Sequence, residues 1–280
     1  MTLSILTNAT SLNAQKNLAA TTDMLSSSIS KLSSGMRINK ASDDAAGLGI
    51  SENLKADIRS LSQAQRNAND GISMSQVAEG GMNEMQGIVS RMRELGVQSA
   101  NATLGKDERG YIQTEFTQLR NEINRISAVT EFNGQKLIDG SASAGLSFQV
   151  GMQNSANDRI AMSITKLTTS TLGSTSLHIA SATLSTVTGA QNALAAFDKA
   201  ITQLSSARSK VGAVQNRMNV TVSNLATAVE NLSAANGRIR DVDVASESAN
   251  MTKAQILSQA GLAVLAQANQ LPQSALSLLR

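Results

Sequence analysis

Leu194 to Ile239 constrains this chain more than any other stretch. Steps of three and four residues from Leu194 land on Phe197, Ile201, Leu204, Arg208, Val211, Gln215, Met218, Val222, Leu225, Val229, Leu232, Asn236 and Ile239. Three polar residues, Arg208, Gln215 and Asn236, interrupt an apolar series held for about six heptads without a proline. That period describes one long helix burying a narrow seam against other helices. The rest of the chain must therefore supply helical partners.

The N-terminal half carries them. Ile5 and Leu12, and then Leu18, Leu25 and Leu32, fall on a seven-residue spacing with one phase shift between Leu12 and Leu18. The other face of this helix is Ser, Thr, Asn and Ala, poorly suited to solvent alone. Gly35 to Lys40 interrupts the pattern, and Ser42 reads as the N-cap of a second rod with Asp43 and Asp44 in its first turn. No third ligand or histidine stands near those two carboxylates, so they read as helix-terminal charges rather than as a metal site. The second stripe runs from Leu54 and Ile58 through Leu61, Ala68, Met82, Val89 and Gly96 to an end near Asn101. A third helix is predicted from about Asp107 to Val129, with Ile112, Phe116, Leu119, Ile123 and Ile126 on its buried face. The short break before it makes the two helices antiparallel neighbours.

Beyond Val129 the period changes. Asn133-Gly134 is a turn signal, and Leu146, Phe148, Val150 and then Ile160, Met162, Ile164 alternate with polar residues, which predicts a small β-hairpin. Thr165 to Thr188 is rich in Ser and Thr, shows no period, and reads as a surface connection carrying His178 as a bystander. After the Leu194 rod, Asn236 and Gly237 are candidates for its cap. In the last helix Leu257, Val264, Leu271 and Leu278 fall seven apart, and Pro272 is expected to kink or end it. Both chain ends thus present apolar heptads with uncharged flanks. Isolated short helices of that kind are marginal in water and gain from assembly into an array. The fold class is mainly α: a long helical-rod bundle with paired terminal coiled-coil helices and a small β-hairpin region.

Composition narrows the functions. Aromatics are 2%, Trp and Cys are absent, and a single His is present in 280 residues. A core without rings suits thin bundles, and neither a disulfide framework nor a thiolate site is available. With one His, no phosphate-binding Gly loop and no Ser-His-Asp set, the expectation is that the chain is not an enzyme and holds no cofactor or metal. The 24 basic and 21 acidic residues are interspersed, so no basic face with stacking aromatics marks a nucleic-acid binder. No apolar window reaches the length of a membrane span. MTLSILTNATSLNAQKN lacks the layout of a cleaved secretory signal, so export would proceed without one.

The strings LNAQKNL, KLSSGMRINKASDDAAGLGIS, RNANDGISMSQVAEG, ENLSAANGRIRDVDVASESANMTKAQILSQAG and AVLAQANQLPQSALSLLR occur in this order. On these strings the chain resembles the bacterial flagellins, the subunits of the flagellar filament. The resemblance implies a secreted structural protein that polymerises into the extracellular filament for swimming. It further implies export unfolded through a type III apparatus, an export chaperone on the C-terminal region, and addition beneath a filament cap. It divides the chain into an inner-core helix at 1–41, a surrounding domain at 42–164, a connection at 165–188 where larger flagellins carry outer domains, a rod at 189–236, and an inner-core helix at 237–280. Filament-core packing is expected of Ile5, Leu12, Leu18, Leu25, Leu32, Leu257, Val264, Leu265, Leu271 and Leu278. RMRELGVQ and Glu115 resemble the segment bound by the host Toll-like receptor for flagellin, with Arg91, Leu95 and Glu115 as its contacts; in the bacterium itself, Leu95 is expected to pack between subunits. Gly96 stands where the commoner string has Ala. The tail with Leu276, Leu278 and Leu279 resembles the part sensed by intracellular immune receptors. A hook-filament junction protein and a coiled-coil stalk or adhesin are the alternatives; the match at GMRINKASDDAAGLGIS favours flagellin.

Overall fold

The protein is described from a computed structural model covering residues 8–173 and 177–278, with side chains described as far as Gln270. Five helices dominate: α1 Ala9–Ser34, α2 Ala45–Ser99, α3 Lys106–Val129, α4 Val187–Arg240 and α5 Val244–Leu278. Four short strands form two antiparallel pairs, β1 Glu131–Phe132 with β2 Gln135–Lys136, and β3 Leu146–Gln149 with β4 Arg159–Met162. The chain divides into two compact units, Met1–Ile58 with Glu230–Arg280, and Arg59–Val229. Both divisions fall inside α2 and α4, which run on without a break.

Local chemistry sets the helix ends. The Asn8 side chain accepts the Ser11 N–H at 3.1 Å and caps α1, while Gly35, at φ +70°, closes it in the left-handed region that Gly enters without a Cβ penalty. The start of α2 differs from the expected Ser42 cap. Asp44 accepts the Gly47 N–H at 2.8 Å, and Asp43 accepts the N–H groups of Asn39 and Lys40 at 3.0 and 2.9 Å. Those two backbone donors hold the Asp43 carboxyl below its ordinary range. The acids end the preceding loop and begin the helix, which is why Ser42 is not needed. Nor do Asn236 and Gly237 cap α4: the helix continues to Arg240, and Asn236 accepts the Ser51 hydroxyl at 2.8 Å. Pro272 does not end α5, which extends to Leu278.

In the unit 59–229, α2 packs antiparallel to both α3 and α4. The α4 stripe behaves as its period predicts, with Phe197, Leu204, Val211, Met218 and Leu225 buried and the alternate positions half-buried. Facing it are Met82, Met85, Val89 and Met92 of α2, and Ile112, Phe116 and Ile123 of α3 complete the core. Gly96 lets α2 and α4 approach: a Cβ there would lie 3.1 Å from both Leu194 and Phe197. The hairpin holds the predicted alternation, Phe148 opposite Ile160 and Leu146 opposite Met162, and packs on Ala68 and Met218. Asn133 and Gly134, at φ +49° and +76°, make the β1–β2 turn.

Residues 165–188 overturn one expectation. Its described residues, 165–173 and 177–188, are packed rather than laid on the surface: Leu167, Leu172, Ile179, Ala182 and Leu184 are buried in the main core. Its backbone is satisfied by helix side chains, with Asn124 accepting from the Thr169 N–H and Gln113 from the Leu184 N–H. The apolar residues are spaced irregularly, matching neither helix nor strand, so periodicity could not reveal them. His178 is half-buried beside Gly173, its carbonyl accepting the Ser181 N–H.

Candidate assembly surface

In the unit formed by the chain ends, α1 and α5 lie antiparallel along each other: Asn8 donates to the Ala268 carbonyl at 2.8 Å, Ser11 to Asn269 at 2.8 Å, and Leu18 faces Gly261. The seam is made largely of small side chains. On α1 it buries Ser11, Ala14 and Ser28 with Leu18, Leu25 and Leu32 half-buried; on α5 it comprises Ala254, Ser258, Gly261, Leu265 and Ala268. A Cβ on Gly261 would meet Leu18 Cδ1 at 3.3 Å, a tight contact that brings the two helices close at this point.

The leucine heptad of the last helix is not that seam. Leu257 is 47% exposed and Val264 59%, and Leu12 on α1 is 57% exposed. Met24, Ile29, Ile256 and Leu262 are exposed with them. Of the residues expected to pack in a filament core, Leu18, Leu25, Leu32 and Leu265 are half-buried along the pair, whereas Leu12, Leu257 and Val264 stay exposed, Leu257 at the edge of the groove it lines with Met24 and Ser28. Ile5 and the side chains of Leu271 and Leu278 lie outside the described residues. Of the row 254, 258, 261, 265, 268, sequence reading named Leu265 alone; Ala254, Ser258, Gly261 and Ala268 have the three-four spacing but are too small to register as apolar. Apolar side chains left open in such number mark an association surface.

The same unit carries a joint where the chain leaves α1 and enters α5. Met36 and Asp241 form an antiparallel bridge, the Arg37 N–H donating to the Arg240 carbonyl at 2.6 Å and the Val242 N–H to Gly35 at 3.0 Å. Arg240, whose side chain is only 12% exposed, donates to Glu52 at 2.6 Å and to the sulfur of Met36 at 2.9 Å. The Arg240 guanidinium, followed by the Lys55 ammonium, holds the Glu52 carboxyl below its ordinary value. Arg37 and Lys40, flanking this turn in sequence, separate: the Arg37 side chain donates to the Ile239 carbonyl at 2.7 Å, while the Lys40 N–H goes to Asp43.

Arg91 and Glu115, on α2 and α3, are brought together at 2.9 Å, with Glu94 on the other side of the guanidinium at 3.1 Å. Glu115, then Glu94, raises the Arg91 pKa. Leu95, expected between subunits or at a receptor surface, is 1% exposed and packs in the core of its own chain. Its place on the Met85, Met92 face of α2 dictates that. Among the described residues no group of three His, Cys, Asp or Glu is placed to hold a metal ion, and no helix is long and apolar enough to cross a membrane.

A pair of terminal helices that meet along a close seam and leave large apolar side chains open is the build of a subunit made for association. The family description bacterial flagellin N-terminal helical region matches residues 5–143, and bacterial flagellin C-terminal helical region matches residues 194–279. Flagellin of Halalkalibacterium halodurans is 45% identical over 273 residues, 98% of each chain. Flagellin of Xenorhabdus nematophila is 41% identical over 310 aligned residues, and the flagellar filament 33 kDa core protein of Treponema phagedenis 41% over 283, again covering 98% of each chain. The chain belongs to the bacterial flagellin family. It is a structural subunit of the extracellular flagellar filament.

Proposed function

We propose that α1 and α5 form the inner core of the filament, and that the exposed side chains of Leu12, Leu257 and Val264 are covered by further copies of this chain. The exposure of these three large apolar side chains on a tightly paired helix hairpin carries the reading. Helices α2, α3 and the first part of α4, with the hairpin, make the surrounding domain. The segment 165–188, compact against that domain, takes the place of bulky outer domains and gives a slim, smooth filament. Family membership supports the remaining partners: a type III export route, a chaperone for the C-terminal region and a cap at the growing tip. Salted-out full-length protein examined by electron microscopy tests the core. Leu257→Asp and Val264→Asp abolish filaments while thermal unfolding of the remainder is unchanged; normal filaments from either variant would refute the assignment. Pronounced outer projections on the wild-type filament would refute the smooth surface.

Recognition by the host Toll-like receptor, on this reading, rests on Arg91 and Glu115 without Leu95. Both side chains are about half exposed and present one ion pair on the α2–α3 face. Arg91→Ala lowers receptor activation by dispersed protein; equal activation by wild type and variant removes the claim.

A further inference from the structure

The chain holds two Asn-Gly pairs, Asn133-Gly134 and Asn236-Gly237. Such a pair can react with itself. The glycine amide nitrogen attacks the side-chain carbonyl carbon of the asparagine, a new C–N bond closes a five-membered imide, and the carboxamide nitrogen leaves as ammonia. Water then opens the imide at either carbonyl, giving aspartate or isoaspartate, the second with one more methylene in the main chain. Water is the sole co-reactant and nothing is oxidised or reduced. Glycine favours the closure because no Cβ obstructs its nitrogen. The nitrogen must also be free of a hydrogen bond, and the backbone between the two residues must be free to swing it under the side chain.

The fold treats the two pairs in opposite ways. Asn236 and Gly237 are half-buried inside α4, where the helix ladder engages the glycine N–H and holds the backbone. The Asn236 side chain accepts the Ser51 hydroxyl at 2.8 Å, and the Gly237 carbonyl accepts the Asp241 N–H at 2.8 Å. Asn133 and Gly134 stand exposed at the tip of the β1–β2 turn, both in the left-handed region. Among the described residues no hydrogen bond is made to the Asn133 side chain or to the Gly134 N–H. A Cβ built on Gly134 would meet nothing within 4 Å. Ring closure requires the turn to open, and what holds it is a ladder of two residue pairs, Glu131 with Lys136 and Phe132 with Gln135. So short and exposed a ladder opens locally at little cost, whereas the middle of a long helix does not.

We infer that Asn133 is a self-modification site at which the folded chain loses ammonia and gains aspartate or isoaspartate, and that α4 spares Asn236. The product alters the element that carries it. A two-residue connection sets the register of Phe132 opposite Gln135, and a main chain longer by one methylene no longer fits that connection. The change stops at the next residues: the Leu137 N–H donates to the Thr130 carbonyl at 3.2 Å, and Leu137 and Ile138 are fully buried. The inference is independent of the filament-core assignment, since the turn is complete within one chain.

Dispersed full-length protein, aged in mildly alkaline buffer and mapped by peptide mass spectrometry, decides the matter. The peptide containing Asn133 should convert at least about tenfold faster than the one containing Asn236, the ratio that a difference of about 1.4 kcal/mol in local opening produces. In concentrated urea the two rates should converge, since both pairs are then equally free. Asn133→Gly leaves a Gly-Gly turn of the same type, and should abolish the product at 133 without changing conversion at 236. Hydrogen exchange over 131–136 should quicken in aged wild type relative to fresh protein, and should not quicken in aged Asn133→Gly. The inference is overturned if Asn133 stays intact in the folded chain while the urea-unfolded chain converts, if both sites convert equally in the folded chain, or if urea leaves their ratio unchanged.

Discussion

Single residues decide how closely the helices meet. Gly261 sits where α5 meets Leu18, and a methyl group there would stand 3.3 Å from Leu18 Cδ1. Gly261→Ala is expected to leave the α1–α5 pair near its present stability, since a helical Ala gains about 1 kcal/mol over Gly and the tight contact offsets part of it. Gly261→Leu wedges the pair apart; circular dichroism of the dispersed chain and an assembly assay should show the loss in the second variant alone. Phe116 makes the corresponding point in the other unit. It is fully buried with its ring 5.8 Å from that of Phe197. Phe116→Ala should cost about 3 to 5 kcal/mol in denaturant unfolding, the lost burial plus the cavity left in a core that has few rings to refill it. The seam positions 116 and 197 were readable from spacing. The role of Gly261 was not, because a missing side chain has no hydropathy signature.

Among the elements, the joint between α1 and α5 depends on Arg240 and Glu52. The paired carboxylate gives up its proton more readily than an unfolded one. Its contribution is therefore complete above the ordinary glutamate value of 4.5, and is lost as pH falls through the lower folded value. Acid titration of the wild type followed by hydrogen exchange at the joint should show faster opening below that pH, and Glu52→Gln should flatten this dependence. An unchanged profile in the variant would assign the acid sensitivity to other carboxylates. The elements themselves were legible where their period was long: α3 lies within a residue of its predicted start, and the β3–β4 pairing keeps the expected alternation. Helix ends were less legible. Asp44 rather than Ser42 begins α2, and α4 passes through Asn236 and Gly237, because the choice among neighbouring polar residues depends on which backbone donors and side chains the fold places within reach.

For the molecule as a whole, the arrangement of apolar side chains on α1 and α5 separates contacts made within one chain from contacts left for others. Leu265→Asp strikes the inward row and is expected to loosen the helix pair in the dispersed protein. Leu257→Asp strikes the outward row and is expected to leave the pair intact while preventing assembly. Protease protection of residues 8–34 and 244–270 would distinguish the two variants before any filament is examined, and identical digestion patterns would contradict the division into two rows.

The helical class, the long Leu194 rod and the hairpin were determined by residue order, because a period of three and four or of two survives without knowledge of any partner, and the resemblance to the flagellins was carried separately by the strings at the two ends. Tertiary structure alone decided which row on α5 faces α1, that Leu95 turns into the core, and that Leu167, Leu172, Ile179 and Leu184 of the expected surface connection are buried. Each of those outcomes depends on how near another backbone comes: Ala254, Gly261 and Ala268 allow the close approach of α5 to α1, with Leu18, Leu25, Leu32 and Leu265 half-buried beside them, and Leu257 and Val264 are left exposed.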